Sequence, residues 1–142
     1  MALTFKFFTD SNLTQELTGN LVFDQAVDGS SGAAVKTLYF GSTTANRKLE
    51  AASNPGVDQV AISIVDSATG SGNPTTAVKL ASTLGGLSGA TAGAPLNLGT
   101  SVLSGVANAK PVYVQVTDQT HAVGNYTDLS LQTVSAVESS TV

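Results

Sequence analysis

Alternation of apolar and polar residues with a period of two dominates this chain, and three segments carry it most clearly. Over residues 57–66, Val60, Ile62 and Ile64 alternate with Ala61, Ser63 and Val65. Over residues 111–118, Val112, Val114 and Val116 fall on one face and Tyr113, Gln115 and Thr117 on the other, with Pro111 at the strand start, where a missing donor does least harm. Over residues 127–133, Leu129 and Leu131 point inward while Asp128, Ser130 and Gln132 point outward. The polar connection between the last two, residues 119–126 with its Gly124-Asn125 pair, predicts an antiparallel hairpin. Weaker strand patterns cover residues 3–8, 20–24, 35–41, 76–80 and 96–103.

Turn chemistry separates these runs, at residues 28–32, at Asn54-Pro55-Gly56, at residues 70–74 and at Gly85-Gly86. Many short strands joined by polar turns, with no long helical period, predict one all-β domain over residues 1–142, a single-domain antiparallel β-sandwich, immunoglobulin-like in general character. Only residues 10–19 hint at a helix, a short one, through Leu13 and Leu17 with Ser11 as its cap. Residues 81–108, rich in Gly, Ala, Ser and Thr, read as loops around one or two strands, with a flexible glycine-rich stretch at 85–93. The tail, residues 135–142, reads as a solvated terminus or, alternatively, as a contact with a neighbour.

Composition narrows the function classes. A chain of 142 residues, 42% hydrophobic, with net charge −4, has the size and apolar content of one folded domain. It has no cysteine, which removes disulfides and thiolate metal sites. The segment 1–10 is too short in its apolar run for a signal peptide, and no run approaches a membrane span, so the chain reads as soluble and unexported. Lys6, Lys36, Arg47, Lys48, Lys79 and Lys110 are scattered and form no basic stripe, which argues against nucleic acid; the pair Arg47-Lys48 reads as a solvated turn.

Side chains able to do chemistry are few. His121 stands alone in the expected hairpin loop and receives no role. Residues 24–29 lack the alternating ligands of a calcium loop, and residues 85–93 lack the Gly-Lys-Ser/Thr ending of a phosphate cradle. Asp66, Asp118 and Asp128, at the ends of the three best strands, read first as turn formers and only second as a cation site. The glycosylation patterns at Asn12 and Asn125 carry little weight without a secretion signal. No cofactor or metal is expected, and no acid, base and nucleophile combine into an enzyme site.

Clustered aromatics suggest interaction instead. Phe5, Phe7 and Phe8, with Leu3, place apolar side chains on both faces of the first strand. Either that strand lies in the middle of the sandwich and buries both faces, or residues 1–10 form an arm that pairs with a neighbouring chain, with Leu3, Phe5, Phe7 and Phe8 as anchors.

The runs Tyr39-Phe40-Gly41-Ser42-Thr43-Thr44-Ala45-Asn46-Arg47-Lys48-Leu49, Asn54-Pro55-Gly56-Val57-Asp58-Gln59-Val60, and 95–100 through 104–109 to 111–114 are similar to small virion structural proteins of tailed bacteriophages. Within that group the chain most resembles head decoration, or cement, proteins. The similarity covers residues 34–134 and consists of strand and turn patterns rather than catalytic signatures. It implies a non-enzymatic protein, made in the host cytoplasm, that binds the major capsid protein on the outside of the expanded head and acts as a dimer or trimer. Two rival classes remain. One is an immunoglobulin-like tail or fibre module bound to tail proteins or host glycans. The other is a carbohydrate-binding sandwich, for which Tyr39, Tyr113 and Tyr126 are a thin supply of platform aromatics.

Overall fold

The computed structural model describes residues 3–19, 21–24, 33–67, 74–117 and 129–142. Ten strands follow one another: β1 Lys6–Phe8, β2 Ala33–Gly41, β3 Arg47–Ala51, β4 Ala61–Asp66, β5 Val78–Ala81, β6 Leu96–Asn97, β7 Val102–Leu103, β8 Lys110–Thr117, β9 Leu129–Thr133 and β10 Ala136–Ser140. Short 3-10 turns at Thr75–Ala77, Gly85–Gly89 and Val106–Asn108 are the only helical segments among the described residues. The chain is therefore all-β, and every strand pairing among the described residues is antiparallel.

The strands form three sheets, ordered β1-β2-β8-β5, β10-β3-β7 and β6-β4-β9. One apolar cluster serves all three. The four-stranded sheet contributes Leu38, Phe40, Val78, Leu80, Val112 and Val114, while Leu49, Val102 and Ile62 enter from the other two sheets and Phe5, Val60 and Leu98 from the connections. The two small sheets act as halves of a second layer. Short connections join them, residues 98–101 from β6 to β7 and 134–135 from β9 to β10, while the bonds of Leu98 N–H to the Val60 carbonyl and of Ala52 N–H to the Ser135 carbonyl extend the β6–β4 and β3–β10 pairings. The packing is that of a two-layer sandwich around one core.

The three strong alternations appear as predicted. Val112 and Val114 are buried in β8, Ile62 is buried in β4, and Leu129 and Leu131 pack inward in β9, but β4 begins only at Ala61, itself buried, with Val60 buried just ahead of it and residues 57–58 in the preceding turn. Asn54-Pro55-Gly56 turns the chain, with Val57 and Asp58 N–H both bonded to the Asn54 carbonyl and Gly56 at φ 80°.

Other expectations are corrected. β8 and β9 are not a hairpin. β8 lies between β2 and β5, whereas β9 pairs with β4 from Ile62 opposite Thr133 to Asp66 opposite Leu129. Turn signals report where a chain bends and not which strand edge it then meets. The helix expected over 10–19 is a loop. Asp10 carboxylate oxygens accept the N–H groups of Thr14 and Gln15 and the Thr14 hydroxyl, offering the backbone an alternative to helical bonds. Leu13 sits there at φ 56°, outside helical geometry.

The pattern over 96–103 is divided into two short strands at Gly99, φ 107°. Residues 21–24 form no strand, and residue 20 lies outside the described residues. Arg47 and Lys48 belong to strand β3 rather than to a solvated turn. The stretch 85–93 is no loose loop either, since the Gly85–Gly89 turn buries Leu87. Finally, the tail is a strand. β10 pairs with β3 along its whole length, from Ala136 opposite Ala51 to Ser140 opposite Arg47.

Candidate functional site

In the unbroken β2–β8 ladder, directly opposed residues share a face. Leu38 opposite Val112 defines the core side, and the other side follows by alternation. On that outer side Tyr39 lies opposite Pro111, Thr37 opposite Tyr113 and Val35 opposite Gln115. β5 extends the face with Lys79 opposite Gln115 and Ala81 opposite Tyr113. Tyr39 and Tyr113 are thus diagonal neighbours across the β2–β8 pair.

Both rims of this face are closed by other segments. At the β1 rim, Phe8 lies opposite Tyr39 and Lys6 opposite Gly41, and Leu13 fits over Gly41 so closely that an added Cβ would come within 3.0 Å of Leu13 Cδ1. At the β5 rim the Gly85–Gly89 turn approaches Ala81, where a Cβ on Gly86 would stand 3.4 Å from the Ala81 Cβ. Between the rims Tyr39, Thr37, Tyr113, Gln115 and Lys79 are half-buried and Val35 is 40% exposed. The face combines two tyrosines with short apolar and amide side chains and Lys79, and at its rim Lys6 is held 3.3 Å from Glu16.

The four residues expected to anchor a neighbour are placed differently from an exposed arm. β1 is an edge strand of its sheet rather than a central one, and its free side is covered by the chain's own return. Leu17 N–H bonds the Phe7 carbonyl and Thr9 N–H the Gln15 carbonyl, each at 2.9 Å, and Phe8 bridges to Glu16. Phe5 and Phe8 are buried in this chain, and Leu3 and Phe7 pack partly buried against its core. The Phe7 and Phe5 rings stand 5.2 and 6.0 Å from the Phe40 ring, in tilted aromatic contacts.

A second polar centre lies on the core side of β10. Opposite Leu49, Glu138 turns inward with 4% of its side chain exposed. It accepts Thr4 N–H at 2.7 Å, the Thr4 hydroxyl at 2.9 Å and Arg47 Nε at 2.7 Å. Because the Thr4 hydroxyl proton goes to Glu138, the 2.7 Å contact between Thr4 Oγ1 and Ser42 Oγ uses the Ser42 proton; Ser42 Oγ in turn accepts Thr44 N–H. Burial alone raises the Glu138 carboxyl, but the bonds from Arg47 and Thr4 outweigh it and hold the group below the usual carboxylate range. No sequence signal pointed to this centre, since its members are dispersed from Thr4 to Glu138.

Asp66 is half-buried at the end of β4, whereas Asp118, Asp128, His121 and Tyr126 lie outside the described residues. Asp24 is exposed and residues 25–29 lie outside the described residues. Among the described residues no three His, Cys, Asp or Glu side chains gather as metal ligands, and no helix is long and apolar enough to cross a membrane. Lys36 is spent internally, its Nζ bonded to the Val22 carbonyl and 5.3 Å from the Phe23 ring centroid.

Comparisons with protein-family models, with curated proteins and with solved structures found no match.

Proposed function

We propose that this chain is a non-enzymatic binding protein of a phage virion, a head decoration or cement protein that docks on the major capsid protein at the capsid exterior. The observation that carries this reading is the outer face of the four-stranded sheet, where Tyr39 and Tyr113 stand together among Thr37, Val35, Gln115 and Lys79. Tyrosine offers a large, rigid, amphipathic contact at low conformational cost and is enriched where interfaces gain most of their energy. A pleated face held by a continuous ladder is also preorganised, so little order has to be created on binding. The sequence resemblance to head decoration proteins supplies the partner.

Cement action needs no chemistry. A protein that binds the assembled lattice and not its dissociated subunits stabilises the lattice by mass action, and repetition over a shell turns a modest contact into avidity. Homo-oligomerisation as a dimer or trimer belongs to the same proposal.

The diagonal pair Tyr39 and Tyr113 favours one second reading, a tail or fibre module that binds a glycan on this face. The deciding experiment mixes purified protein with expanded capsids that lack it, followed by cryo-electron microscopy and heat challenge. Regular density on the outer lattice, raised heat resistance and loss of both with Tyr113→Ala support the cement reading. Failure to bind the lattice, with glycan-array binding that depends on Tyr39 and Tyr113, replaces it with the tail-module reading.

A further inference from the structure

We propose that the N-terminal strap, residues 3–17, is a separately opening unit of the fold and that the Glu138 carboxylate on the C-terminal strand is the latch that holds it shut.

The strap is largely self-contained in its hydrogen bonding. Its two limbs bond to each other through Leu17 to Phe7 and Thr9 to Gln15, and the Asp10 side chain closes the bend between them. Its attachment to the rest of the molecule is narrow. Along the strands it consists of a ladder of three opposed pairs, Lys6 with Gly41, Phe7 with Phe40 and Phe8 with Tyr39. Burial of Phe5, Phe8 and Leu13 and packing of Leu3, Phe7 and Leu17 against the core add to it, and the polar ties run from Thr4, as a pair of bonds to Glu138 and a hydroxyl contact with Ser42. Segments joined by few ladder bonds to the body of a protein open locally, at less cost than global unfolding.

Glu138 has the features a latch requires. It is anchored from behind by Arg47 on β3, and it grips a residue 134 positions away in sequence. Arg47 is the charged group that faces it from β3, Thr4 meets it from the strap, and Ser42 at the end of β2 contributes a hydroxyl through Thr4. Lys48 and Glu50, paired at 2.9 Å, project to the opposite face of the same sheet. Loss of the negative charge therefore leaves Arg47 without its counter-charge and weakens both bonds from Thr4 at once. The change falls first on the strap, because the hydrogen bonds of Glu138 toward the four-stranded sheet go to Thr4, whose hydroxyl in turn meets Ser42.

Hydrogen exchange followed by mass spectrometry on the full chain tests this. With Glu138→Gln, amides of residues 5–8 and 13–17 should exchange roughly tenfold faster or more, the order expected for losing a charge-assisted hydrogen bond, and should stay less protected than those of β4 and β8. Thr4→Val, which removes the hydroxyl but keeps the amide, should shift the same amides by a smaller factor. In the unaltered chain, strap exchange corrected for its intrinsic rate should rise as acid neutralises Glu138. The proposal is overturned if strap protection is unchanged in the variants, or if strap amides are protected to the same degree as those of β4 and β8, which would make the strap part of the global unit. Should Glu138→Gln fail to fold, Thr4→Val and the acid series decide between the same two results.

Discussion

At Glu138 burial and hydrogen bonding pull the carboxyl in opposite directions, and the bonds prevail. A group whose folded value lies below its unfolded one stabilises the fold fully above the ordinary carboxylate range. That contribution fades as pH falls through the folded value. Glu138→Gln should therefore lower stability by about 1.5–3 kcal/mol near neutral pH and remove part of the acid dependence of unfolding, as urea melts at several pH values can show. Asp10, held low first by the Thr14 hydroxyl, adds to the same acid loss. Gly41 makes a different test. An added Cβ meets Leu13 Cδ1 at 3.0 Å and the Ala109 Cα at 3.4 Å, so Gly41→Ala should cost about 1–3 kcal/mol through overpacking. Gly19→Ala, with open space around the new Cβ, should be close to neutral by the same melts.

Among the elements, the strands with strict alternation were legible because a sheet with one buried face imposes a period of two. β3 and β10 were not. In β3 the buried positions are Leu49 and Ala51, flanked by Arg47, Lys48 and Glu50, and a charged run of that kind reads as a solvated segment until its partners are known. β10 reads as a polar tail because Glu138 and the serines mask its pairing. The partner of β9 was equally hidden, since its alternation fits any neighbour with an apolar face. A crosslink separates the alternatives. Ser63 and Gln132 are directly opposed in β4 and β9, and the chain has no cysteine of its own. Ser63→Cys with Gln132→Cys should therefore close a disulfide under oxidising conditions, seen as a mass loss of two hydrogen atoms, whereas a β8–β9 hairpin would leave both thiols free.

For the molecule as a whole, the layers divide the work. The core between them carries stability: Leu49 and Val102 from one small sheet and Ile62 from the other are fully buried beside Leu38 and Val112. Leu49→Ala should cost about 2–5 kcal/mol, read as a lowered denaturation midpoint. The outer face of the four-stranded sheet carries recognition under the proposal above. Tyr113→Ala, half-exposed and remote from the central cluster, should abolish or weaken capsid binding while leaving the denaturation midpoint nearly unchanged. A variant that lost both together would show that the face serves the fold rather than a partner.

The sequence by itself determined the fold class, most strand positions and the inward residues of the strongest strands, because binary pattern and turn chemistry are local properties. It also showed the shortage of catalytic side chains. Only the tertiary structure decided which strands pair, that Phe5 and Phe8 are spent in the chain's own interior, that Tyr39 and Tyr113 share an open face, and that Glu138 ties one end of the chain to the other. Those facts depend on contacts between residues far apart in sequence, and no local period encodes the partner of a strand edge or of a buried charge.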